Sequence, residues 1–178
     1  MAEPTLELQS FLVRTPFFGA LADEGLLRVI RMLTQRTYSA GELVFSEGES
    51  GRSMYVIAEG EVLMTRQGES GARVHLFRLA AGDFFGETTL IEMHPRPYTA
   101  RVAASTRLYE LTAKDLYRLY REDVQTYVLV LQNINRELCR RLRSADRRIA
   151  EVAEQFGDER TQIHPTKSGL QPPSRKDD

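Results

Sequence analysis

The sequence predicts an α+β chain that is mainly β: an antiparallel β-barrel or jelly roll, with short N-terminal helices and a long C-terminal helix. Three observations carry this expectation. Between Gln35 and Ala81, short apolar runs alternate with glycine-bearing turns, the signature of antiparallel strands. Ahead of them, Asp23-Glu24 lead into Leu26, Leu27, Ile30 and Leu33, helical spacing with an acidic first turn. Behind them, apolar residues recur at steps of three and four from Val124 to Phe156.

The totals bound the rest. A chain of 178 residues is one domain plus extensions and buries a sizeable core. Lys+Arg 24 against Asp+Glu 25 gives a net charge of −1, with no overall bias towards nucleic acid. The single cysteine, Cys139, excludes an intrachain disulfide. Without a signal pattern or an 18-residue apolar run, the expected location is the cytoplasm, with no membrane insertion.

In chain order, residues 1–15 read as an N-terminal arm with Leu8, Phe11 and Leu12 on its apolar side. Residues 16–121 form the roll. Its strands are expected around Thr37–Ser39, Leu43–Phe45, Met54–Ile57, Glu61–Thr65, Val74–Leu79, Thr99–Ala103 and Arg107–Leu111. Ala40-Gly41-Glu42 is a turn signal between the first two, and Gly48-Glu49-Ser50-Gly51 recurs as Gly68-Glu69-Ser70-Gly71, two turns of one roll. Residues 122–156 form the long helix. Residues 157–178 are polar and proline-bearing and read as a disordered tail.

The stretch with chemistry is Asp83-Phe84-Phe85-Gly86-Glu87-Thr88-Thr89-Leu90, followed by Arg96-Pro97-Tyr98-Thr99-Ala100. A glycine turn opening a helix presents unpartnered amides and partial positive charge, which suits an anion. A guanidinium at Arg96 supplies a forked contact to phosphate. Glu87 repels phosphate, and its acceptor-only carboxylate suits a ribose hydroxyl.

Phe85-Gly86-Glu87-x-x-Leu90 resembles the phosphate-binding cassette of the cyclic-nucleotide-binding domain family. So does the spacing Gly48-x-x-Gly51 to Gly60 before it. The resemblance covers roughly residues 16–145. It implies that Gly86 and Glu87 serve a ribose and that an arginine with nearby amides holds a cyclic phosphate. The chain departs from the family pattern at Thr89, where a small residue is usual, and after the loop. There two registers fit. In one, Arg96 is the phosphate arginine and Pro97 and Tyr98 replace small residues. In the other, Thr99-Ala100-Arg101-Val102 fits and Tyr98 stands in the arginine position. A phenol there forfeits a hydrogen bond to a charged group, about 1.5–3 kcal/mol, or roughly tenfold to over a hundredfold in affinity.

The resulting expectation is a non-enzymatic, bacterial-type signalling module with a degenerate pocket, acting as a scaffold for an unidentified protein partner. The alternative is a cAMP or cGMP receptor that transmits binding through its C-terminal helix, with Gly86, Glu87, Thr88, Thr89, Arg96, Pro97, Tyr98 and Thr99 at the ligand. No cofactor is expected, and His75, His94 and His164 lack metal spacing.

The long helix predicts a parallel homodimer through Tyr127, Leu131, Ile134, Leu138, Leu142, Ala145 and Ile149, with a stutter at Ile134–Leu138–Leu142. Arg136, Arg140, Arg141, Arg143, Arg147 and Arg148 read as its solvated flank, with Glu137, Asp146, Glu151 and Glu154 as partners. Family members that act as transcription factors carry a helix-turn-helix domain after the long helix. The polar tail is too short for one, so direct DNA binding is not expected.

Overall fold

The computed structural model describes residues 6–155. Expectations for the first five residues, Phe156 and the tail lie outside them. Helix α1 (Leu6–Val13) and a 3-10 turn (Pro16–Phe18) precede α2 (Asp23–Ile30). Eight strands follow: β1 (Thr34–Tyr38), β2 (Leu43–Phe45), β3 (Ser53–Glu59), β4 (Glu61–Gln67), β5 (Arg73–Ala80), β6 (Phe84–Phe85), β7 (Thr99–Val102) and β8 (Thr106–Thr112). A short α3 (Thr88–Ile91) lies between β6 and β7, and α4 (Ala113–Glu122) and α5 (Val124–Gln155) close the sequence of elements.

The strands form two four-stranded antiparallel sheets, ordered β1-β8-β3-β6 and β2-β7-β4-β5. The jelly-roll expectation holds in this double-sheet form. A closed barrel does not, because no ladder joins the edge strands of one sheet to those of the other.

Strand β3 shows why Met54-Tyr55-Val56-Ile57 reads as one apolar run. Side chains alternate across a sheet, and both faces of β3 are covered. Tyr55 and Ile57 face a core between the sheets with Phe45, Val62, Met64, Ala100 and Val102. Met54, Val56 and Ala58 face a second core built with Leu12, Phe17, Leu26, Val29, Leu119 and Ile134 from the helices.

The helical region after β8 is two helices. A capping box starts α4: Thr112 Oγ1 accepts from Asp115 N at 3.1 Å, and Asp115 Oδ2 accepts from Thr112 N at 3.2 Å. Asp123 leaves helical geometry (φ −153°, ψ 83°). Its carboxylate then receives Thr126 N at 3.0 Å and Thr126 Oγ1 at 2.7 Å, starting α5 anew. Arg28 on α2 reaches Asp123 at 3.4 Å.

The first part of α5 lies against its own roll. Ile134 is fully buried in the helical core, and Tyr127, Leu131 and Leu138 pack against it. Asn133, also buried, donates to Phe17 O at 3.0 Å and Gly19 O at 2.7 Å. These four apolar positions were expected to face a second chain. The chain's own helical core takes Ile134 instead and covers Tyr127, Leu131 and Leu138 only in part. Glu137 is buried as well, so it is not part of a solvated flank.

Contacts divide the chain into residues 1–138 and 139–178. The described part of the second unit, Cys139 to Gln155, is helical, with Leu142, Ala145, Ile149 and Val152 exposed along it. None of the described helices is long and apolar enough to cross a membrane.

Candidate functional site

The two-residue strand β6 pairs Phe84 and Phe85 with Val56 and Tyr55, which fixes where the chain enters the glycine turn. Gly86 sits at φ +81°, a conformation open mainly to glycine. Glu87 returns to helical geometry, and α3 is a single turn closed by Leu90 N to Glu87 O at 2.9 Å and Glu92 N to Thr88 O at 2.8 Å. One turn aligns few peptide dipoles, so the anion-attracting field expected of a helix N-terminus is small. Glu87 and Thr89 are buried, and Thr88 is half-buried.

Arg96 is the central finding. It is 3% exposed, so it is neither a surface-loop arginine nor an outward-facing one. Its backbone is pinned to the β2–β3 loop, with Arg96 N donating to Glu49 O at 2.8 Å and Gly48 N donating to Arg96 O at 2.9 Å. Its guanidinium turns inward. Nη1 donates to Gly86 O at 2.9 Å and to Thr89 Oγ1 at 3.0 Å, and Nη2 donates to Ser53 Oγ at 3.4 Å. Both hydroxyls are themselves oriented: Thr89 donates to Gly86 O at 3.0 Å, and Ser53 donates to Tyr55 Oη at 3.1 Å. The guanidinium carbon lies 4.1 Å from the centre of the Phe45 ring, a cation–π contact in a setting with little water. Burial pulls the Arg96 pKa below the ordinary arginine value, while Tyr55, Glu49 and Glu87 act in the opposite sense.

Tyr98 goes elsewhere. It precedes β7 with the parity of Ala100 and Val102, half-buried against the inter-sheet core. Its ring meets Phe77 of β5 edge-on, with centroids 5.6 Å apart and planes at 80°. Thr99 has the opposite parity. Its Oγ1 accepts from Glu47 N at 3.0 Å, and it lines a separate cavity of about 360 Å³ with Glu47, Arg66 and Arg73.

Of the eight ligand-site candidates, Gly86, Thr89 and Arg96 are therefore in direct contact, with Glu87 and Thr88 in the same turn. Tyr98 projects between the sheets, and Thr99 faces a different cavity. Sequence reasoning missed Phe45, Gly51, Ser53 and Tyr55 around Arg96. The available signals were the second glycine of Gly48-x-x-Gly51 and the hydroxyl of Thr89, which departs from the family pattern and turns out to accept from Arg96.

Residues 35–123, half of the chain, fit the family model described as the cyclic nucleotide-binding domain. The chain belongs to the cyclic nucleotide-binding domain family. The cyclic AMP receptor protein of Thermus thermophilus is 32% identical over 132 residues, 74% of this chain and 59% of that protein. A putative potassium channel protein of Rhodopseudomonas palustris is 34% identical over 62% of this chain and 26% of its own length. A cyclic nucleotide-binding domain structure from Methylobacillus flagellatus superposes with a TM-score of 0.77 at 19% identity, covering 82% of this chain and 84% of that one, which shows the shared fold. The chain thus spans about three-fifths of the first relative and a quarter of the second. The relatives matched include a cyclic AMP receptor protein, a putative potassium channel protein and a cAMP-dependent protein kinase regulatory subunit. Among the described residues, no group of three or more His, Cys, Asp or Glu is placed to hold a metal ion.

Proposed function

We propose that this chain is a non-enzymatic signalling module in which the cyclic-nucleotide-binding fold is kept and the pocket is filled by its own side chains, so that it acts on a protein partner. The observation that carries this reading is the inward guanidinium of Arg96, committed to Gly86, Thr89 and Ser53. The Tyr98 ring on Phe77 supports it, since a phenol occupies space between the sheets and offers no charge to a phosphate. In this reading Leu142, Ala145 and Ile149 form the seam of a parallel homodimer, narrowed to the part of α5 beyond Leu138.

Calorimetric titration with cAMP and cGMP tests the proposal. No binding is expected up to about millimolar ligand. Micromolar binding by the parent protein, abolished in Glu87→Ala, overturns it. That outcome establishes the second reading, a cAMP or cGMP receptor, which the Gly86-Glu87 pair and the likeness to a cyclic AMP receptor protein favour.

A further inference from the structure

The surroundings of Arg96 are shaped for a guanidinium. Gly51 has no positive φ, so its backbone does not require glycine. Space does: a Cβ there falls 2.2 Å from Arg96 Nε and 2.4 Å from Cζ. A Cβ on Gly86 falls 2.6 Å from Nη1. Two glycines therefore clear the space, the Phe45 ring gives it an aromatic floor, and Gly86 O, Thr89 Oγ1 and Ser53 Oγ line it with acceptors in directions that suit a planar fork. An ammonium has no plane to lay on the ring and one nitrogen to serve three acceptors.

We propose that this hollow is a guanidinium-binding site, occupied from within by Arg96, and that the seated Arg96 orders the cassette in place of an outside ligand. The parts its guanidinium joins are separate in sequence: the start of β3 through Ser53, the glycine turn through Gly86, and α3 through Thr89. An anionic ligand recruits a cassette from outside by attracting amides and an arginine. Here the arginine supplies the connection itself, and the ordered cassette is the resting state of the protein. The inference rests on the reading of a pocket filled from within; nucleotide titration tests that reading and the following experiment tests the seat of Arg96, so the two fail separately.

The test uses the full chain, with amide exchange at Gly86–Leu90 and the thermal midpoint as readouts. The parent protein protects these amides without any added ligand. In Arg96→Ala they exchange about tenfold faster or more, the loss expected when charge-assisted hydrogen bonds go. Methylguanidinium chloride restores protection in that variant, and methylammonium chloride at equal ionic strength does not. Gly51→Ala alone lowers the midpoint and exposes the same amides, because its methyl displaces the guanidinium. Placed in Arg96→Ala, the same substitution costs little, since the methyl then enters vacated space. Should Arg96→Ala fail to fold, Arg96→Lys with the same two salts and Gly51→Ala mapped by exchange give the same contrast. Equal effects of the two salts, an equal Gly51→Ala penalty in both backgrounds, or an unprotected cassette in the parent protein overturns the inference.

Discussion

Asn133 joins the long helix to the N-terminal turn through two bonds, and its removal has a calculable effect. In Asn133→Ala, Phe17 O and Gly19 O lose donors at 3.0 and 2.7 Å inside a region where Asn133 is only 3% exposed. Each neutral bond is worth about 1 kcal/mol net, and the deserted, buried Phe17 carbonyl adds to that, so the expected loss is about 2–4 kcal/mol. For a chain of this size that lowers the thermal midpoint by about 4–16 °C. The contact between Asn133 Oδ1 and Arg136 Nη1, at 2.8 Å beside solvent, adds little. Asn133→Asp keeps the shape but places an acceptor against two carbonyls, and at neutral pH it should cost at least as much as the alanine. Its protonated carboxyl can donate, so folding raises the pKa of the new group. Stability of that variant should recover as pH falls towards the unfolded carboxylate value of about 3.9 and decline as pH rises above it. Urea unfolding at neutral and acid pH measures all of this. If both variants stay within about 0.5 kcal/mol of the parent protein, Asn133 is not an anchor.

Other positions separate folding from assembly. Ile134→Ala should cost about 2–5 kcal/mol by denaturant unfolding, because the side chain is fully buried. Leu142→Ala and Ile149→Ala should leave the midpoint of dilute protein within about 0.5 kcal/mol while weakening self-association in sedimentation velocity. Removal of the α4 cap in Thr112→Ala should cost about 1 kcal/mol by thermal unfolding. Asp123 has its pKa depressed by hydrogen bonds from Thr126 and by Arg28. Its contribution is complete above the unfolded value of about 3.9 and is lost as pH falls through the lower folded value. Asp123→Asn should therefore flatten the acid limb of the stability profile, measured by thermal unfolding from pH 2 to 7 (about two units either side of that value).

Much of the fold was legible because it rests on local rules. The glycine turns and the apolar runs placed every long strand, and the run at Met54–Ile57 marked a strand buried on both faces. The destination of Arg96 was not legible. Whether an arginine faces solvent, an anion or the interior depends on Phe45, Ser53 and Thr89, which share no sequence neighbourhood with it. The sequence allows one helix or two from Leu116 to Phe156, because an aspartate cap needs no proline or glycine and leaves the apolar period almost intact. Ile134 was assigned to a second chain for a related reason: the spacing of a helix stripe says that something covers it, not which surface does.

The pairing of β1 with β8 has a consequence for the order in which the molecule is made. Thr34 lies opposite Glu110, and Ser53 of β3 lies opposite Thr112, so the central partner of the first sheet is its last strand to be synthesised. Until β8 leaves the ribosome, β1 has no neighbour and β3 is open along one edge, with Met54, Val56 and Ile57 exposed beside it. Nonlocal pairing of this kind pays its loop-closure entropy before any contact rewards it and makes folding slow, about milliseconds to seconds. The nascent roll is therefore most vulnerable to aggregation just before Thr106–Thr112 emerges, and a chain cut short of β8 should accumulate as an insoluble product rather than as a smaller domain.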